Sequence, residues 1–148
     1  MKIAKKILFF FLILLLLIQF YPLEKPEVTL NNPNDFLKNK DVPQKIAQLI
    51  KTSCYDCHSN ETKFPWYSKF APVKWLVYHD INEGREELNF SEWNKLSEDD
   101  KSDKLFDIQD EMSEGEMPIK IYTFMHQKAK LTEEQRILIA SFVENLAE

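Results

Sequence analysis

The stretch TSCYDCHSN, residues 52–60, holds both cysteines of the chain, Cys54 and Cys57, with His58 directly behind the second. Few chemistries use two thiols three positions apart followed at once by an imidazole. A closed zinc site needs four ligands, commonly two C-x-x-C pairs or one pair with two spaced histidines. The other histidines here, His79 and His126, are isolated. A thioredoxin-like pair belongs to an α/β chain, and strand patterning is missing from this one. A disulfide between Cys54 and Cys57 would close a tiny loop that stabilises little and would leave His58 without a role. Covalent haem attachment uses every residue: in C-x-x-C-H two thioethers hold the porphyrin edge and the adjoining imidazole takes the iron. Cys54 and Cys57 are thus the expected thioether residues, His58 the expected proximal iron ligand, and one haem c the expected cofactor.

Outward from this motif the pattern is helical. DVPQKIAQLIKTSC (41–54) places Pro43 at a helix start and aligns Ile46, Leu49 and Ile50, running straight into Cys54. APVKWLVYHDINEG (71–84) starts near Pro72, aligns Val73, Leu76 and Val77 toward a core, and meets Gly84 as a stop. SEDDKSDKLFDIQDEMSEG (97–115) offers Ser97 with Asp100 as a cap, a stripe of Leu105, Ile108 and Met112, and Gly115 as its end. LTEEQRILIASFVENLAE (131–148) opens on the capping box Thr132…Gln135 and carries Ile139, Phe142, Val143 and Leu146 on a broad apolar face. No alternating run is bounded by hairpin turns. The expectation is an all-α domain over residues 41–148.

Two segments precede it. MKIAKK carries three lysines, and the run from Ile7 to Ile18 is apolar without a break. With its extension toward Leu23 this run makes a helix of roughly 25 Å, close to the ~30 Å of a hydrocarbon core. A signal-peptide cleavage site wants small residues, whereas the exit reads IQFYPLEKPEV, so residues 1–23 read as an uncleaved anchor, with a cleaved signal peptide as the alternative. Lys2, Lys5 and Lys6 would stay in the cytoplasm and the rest would face the periplasm. The expected location is therefore the inner membrane, single-pass. Residues 24–40, polar and holding Pro26 and Pro33, read as a linker with little structure of its own. Beyond the leader 16 basic side chains face 24 acidic ones, a net −8. Such a surface repels phosphate backbones and excludes nucleic acid as the expected partner.

The run CYDCHSNETKFPWYSKFAPVKWLVYHDINEGREELNFSEW (54–93) resembles the bacterial haem-binding domain family of cytochrome c type. So do GEMP (115–118), the region of Tyr122, and the His126 segment preceding LTEEQ (131–135). The resemblance covers nearly all of residues 35–148. It implies a class I cytochrome c-like helical domain with one covalent haem, in a family where an apolar N-terminal anchor is common.

For the second axial position the chain offers Met112, Met117, Met125, His79 and His126. Met112 continues the Leu105/Ile108 stripe and Met125 lies in apolar IYTFM, both places where methionine usually fills core gaps. His79 reads as a surface residue and His126 as a loop or capping residue. Met117 follows a helix end, is stiffened by Pro118, and is the expected distal ligand, as the resemblance also implies. Trp66, Tyr67 and Trp75, with Phe64, are candidates for the wall of the haem crevice. The expected activity is that of an electron carrier between redox partner proteins of a respiratory or periplasmic chain, not an enzyme. A haem-based ligand sensor or a small peroxidase-like protein would require an open sixth position.

Overall fold

The computed structural model describes residues 2–38 and 41–147, and among these every regular element is helical. The apolar start forms α1, Lys2–Leu17, extended by a 3₁₀ turn over Ile18–Phe20. Together, at 19 residues, they are long and apolar enough to cross a membrane, and none of their side chains is buried. The end of this helix is tied to the rest of the molecule. The Gln19 side chain donates to Ala71 O at 3.0 Å and accepts from Ala71 N at 2.9 Å, and the Tyr21 ring meets Trp75 edge-on at 5.8 Å.

The domain follows as α2 (Gln44–Ser53), α3 (Tyr55–His58), α4 (Val73–Glu87), α5 (Glu98–Glu114), α6 (Lys120–Met125) and α7 (Glu133–Ala147). Short 3₁₀ turns lie at Phe36–Lys38, Trp66–Lys69, Phe90–Lys95 and Gln127–Ala129. Ser97 caps α5 by accepting from Asp100 N at 3.1 Å, and Gly115 closes it at φ +75°, a left-handed turn that favours glycine. Thr132 and Gln135 form the reciprocal capping box of α7, at 3.3 and 2.9 Å. Ile46 and Ile50 of α2, Leu105 and Met112 of α5, and Ile139 and Val143 of α7 meet in one core. Tyr55, Phe90 and Trp93 join them.

Four expectations differ from the fold. The segment 24–40 does not behave as a linker throughout, because Phe36 is 1% exposed and packs between Phe90 and Trp93 with ring centroids 5.5 and 4.9 Å away. Its polar residues have partners inside the fold: Asp35 accepts from Tyr55 Oη at 2.7 Å and from Leu37 N at 2.9 Å, and Asn32 donates to Ser91 Oγ at 3.2 Å. Gly84 does not stop α4, which runs on to Glu87. And α4 turns Tyr78 and Ile81 to the core, leaving Val73 and Leu76 43% and 44% exposed. Likewise α6 leaves Met125 exposed instead of filling the core with it.

Candidate functional site

α2 ends at Ser53, and the chain makes one further helical turn as α3. Cys54 O accepts from Cys57 N at 3.2 Å and from His58 N at 2.9 Å. Positions i, i+3 and i+4 share a helix face, so the turn brings Cys54, Cys57 and His58 to one side. All three line a cavity of about 640 Å³, within the roughly 300–1,000 Å³ usual for ligand and cofactor sites. The back of the turn is anchored in the core: Tyr55 is 2% exposed and stacks on Phe90 at 5.4 Å. Arg85 of α4 fixes the chain leaving the motif, donating to Ser59 O and Thr62 Oγ1, both at 2.9 Å.

The imidazole is oriented by two carbonyls. His58 Nδ1 lies 2.7 Å from Gly84 O and 3.1 Å from Leu88 O. Carbonyl oxygens only accept, so Nδ1 carries the proton and Nε2 keeps its lone pair free. Burial lowers the His58 pKa below its ordinary value, outweighing the two hydrogen bonds that raise it, and so favours the neutral ring. Both thiols are free. Burial, and then mutual repulsion with Cys57, pushes the Cys54 thiol up to about 12. Burial followed by the charges of Asp56 and Asp80 takes Cys57 to about 11, so both are protonated at neutral pH. The role of Gly84 is also clear here. A Cβ on it would sit 3.1 Å from Cys57 O and 3.2 Å from Cys57 Cβ, so its lack of a side chain lets α4 lie directly against α3.

The rest of the wall divides by polarity. Ile50, Phe90, Ile108, Met112 and Ile139 supply apolar surface, while Asp80, Glu83, Glu87, Asp107, Asp110, Glu111 and Glu114 stand against Lys104, the single cation on the wall among the described residues. This field favours positive charge in the cavity and cationic surfaces at its mouth. Glu111 Oε2 is buried without a hydrogen-bond partner, and burial first, then Glu114, Glu116, Asp107 and Asp110, raise its pKa.

Of the five residues considered for the second axial position, Met112 and Met117 line the cavity. Met125 is 51% exposed, His79 is exposed and pairs with Glu83 at 3.3 Å, and His126 is hydrogen-bonded through Nε2 to Tyr67 Oη at 2.6 Å. Trp66, Tyr67 and Trp75, expected along the crevice, are not on its wall. Trp66 points outward at 70% exposure, Tyr67 is held by His126, and Trp75 packs on Tyr21. The aromatics that do line it are Phe90 and Tyr122, and Tyr122 donates to Asp56 Oδ2 at 2.9 Å and stacks on His126 at 4.4 Å. Burial and the neighbouring Asp56 raise its pKa well above the usual phenol range, so it remains a donor. No spacing rule links residues 56 and 122; the pairing exists only once α6 folds over the motif.

Haem suits this donor set, with two free thiols on one helical turn beside an imidazole whose Nε2 is uncommitted. Among the described residues no three of His, Cys, Asp and Glu form a metal cage. No curated protein and no solved structure is significantly similar to the chain. A family model described as a haem-binding domain does match residues 13–145, from within α1 to within α7. Every residue lining the cavity lies inside that match, and the chain belongs to the haem-binding domain family.

Proposed function

We propose that the protein is a membrane-anchored c-type cytochrome carrying single electrons between redox partners at the periplasmic face of the inner membrane. The observation that carries this reading is the placement of Cys54, Cys57, His58 and Met117 on one cavity. Haem supplies the one-electron iron couple. Cys54 and Cys57 would hold it as thioethers and His58 Nε2 would ligate the iron. The donation from His58 Nδ1 to Gly84 and Leu88 fixes the ring plane and strengthens Nε2 as a ligand. Met117, on the turn after α5, would supply a second iron ligand from the same cavity wall. The apolar wall excludes water, and the carboxylate rim favours partners with a basic face. α1, with Lys2, Lys5 and Lys6 left in the cytoplasm, would keep the domain near such partners.

Three measurements test the reading. Acid–acetone extraction should leave the pigment on the polypeptide, and complete loss of colour rejects covalent attachment. The reduced protein should give a low-spin visible spectrum unchanged by carbon monoxide. A ready shift would instead favour a ligand sensor or peroxidase-like protein. Met117→Ala should abolish the weak near-infrared sulfur-to-iron band of the oxidised protein while Met112→Ala keeps it, and the reverse result moves the ligand to Met112.

A further inference from the structure

The outward face at the start of α4 is apolar where a water-facing surface would be polar. Trp66 and Phe70 are 70% and 56% exposed and touch edge-on with centroids 6.5 Å apart. Val73 and Leu76, one turn apart on α4, turn outward while Tyr78 and Ile81 hold the core. This is also where α1 arrives. Gln19 is bonded at both ends of its amide to Ala71, the residue between Phe70 and Pro72, and Lys74 Nζ reaches Gln19 O at 3.4 Å. The local charge runs against the rest of the domain, since the chain from Thr62 to His79 has three lysines, Lys63, Lys69 and Lys74, and no carboxylate.

From these observations we infer that the face carrying Trp66, Phe70, Val73 and Leu76 sits in the lipid interface beside the exit of α1. The inference rests on the anchor reading above. The Gln19–Ala71 pair places the patch at the level where the apolar helix ends, so its rings meet the headgroup region and not bulk water. Tryptophan and other amphipathic or apolar rings favour that region. Lys69 and Lys74 are then positioned to meet lipid phosphates, which attract basic side chains at the surface. The chemistry recognised is an anionic phospholipid surface. The domain is seated on the bilayer and does not swing on a tether.

The test uses the full-length, haem-loaded protein in vesicles of phosphatidylcholine and phosphatidylglycerol. A single spin label is placed at Trp66→Cys or Phe70→Cys, with Phe106→Cys, half exposed on α5, as the aqueous control. An unchanged visible spectrum certifies each variant as folded. Collision with lipid-soluble oxygen should exceed collision with a water-soluble nickel chelate severalfold at 66 and 70, with the order reversed at 106. Adding Gln19→Ala should move the label at 70 toward the control. If the protein stays with the vesicles through an alkaline wash but the labels at 66 and 70 read as aqueous, the seated surface is refuted while the anchor stands. Labels shielded from both probes would assign the face to a second copy of the chain and also refute the inference. Release of the protein by the wash overturns the anchor and the surface together.

Discussion

Replacing Gly84 with alanine isolates the contact between α3 and α4. The new Cβ would lie 3.1 Å from Cys57 O, 3.2 Å from Cys57 Cβ and 3.3 Å from Cys57 C, inside the ~3.5–4.0 Å optimum for carbon contacts. None of these atoms is the free end of a flexible side chain, so relief requires α4 to retreat by a few tenths of an ångström. In an open helix, alanine in place of glycine would stabilise by about 1 kcal/mol. Overpacking of this kind costs roughly 1–3 kcal/mol, so the expected net is a loss of about 1 kcal/mol. For a chain of 148 residues that is roughly 2–4 °C in Tm, readable by thermal unfolding in detergent followed by circular dichroism and haem absorbance. Retreat of α4 also stretches the 2.7 Å bond from His58 Nδ1 to Gly84 O. On the proposed ligation the midpoint potential should therefore move as well, since a hydrogen bond to the far ring nitrogen tunes an imidazole as a ligand. A variant about 1 kcal/mol more stable, with an unchanged potential, would show that α4 yields freely and would refute the close-contact reasoning.

Phe36→Ala should cost about 3–5 kcal/mol, the range for emptying an aromatic core position, measured by urea unfolding; a loss under about 0.5 kcal/mol would return the segment to the behaviour of a surface linker. Glu111→Gln should raise stability at neutral pH and lose its advantage in acid. Folding lifts this carboxyl above its ordinary 4.5, so the folded chain holds the proton over a window in which the unfolded chain has released it. The group therefore opposes folding as pH rises through that window. Equal Tm differences at pH 4 and pH 7 would contradict the assignment.

Where one residue type in one local spacing decides the outcome, the sequence was readable. Cys54, Cys57 and His58 share a face because a single helical turn carries them, and the Ser97 and Thr132 caps and the Gly115 turn formed as their spacing implies. Features that depend on a distant partner were not readable. Gly84 carries the same symbol whether it ends a helix or admits a neighbour, and only the approach of α3 decides between them. Asp35 and Asn32 look like linker residues until Tyr55 and Ser91 are placed against them. The stripe of Val73 and Leu76 has the periodicity of a buried face, but periodicity does not say on which side the core lies, and Tyr78 and Ile81 took it. Trp66, Tyr67 and Trp75 read as crevice candidates because they follow the motif closely in the chain, but closeness in sequence does not place a ring on the wall, and α6 supplied Tyr122 there instead.

One helix, α4, grips both ends of the molecule's working distance. Near its start Lys74 and the neighbouring Ala71 hold the end of α1, and ten residues later Gly84 offers its carbonyl to His58. At 1.5 Å of rise per residue that is a stiff strut of about 15 Å. It has no hinge within it that could let the imidazole wander relative to the junction. On the proposed function a redox partner would therefore meet the site at a fixed station, and inserting four residues of helix between Lys74 and Gly84 would move that station by about 6 Å and turn it by about 40°.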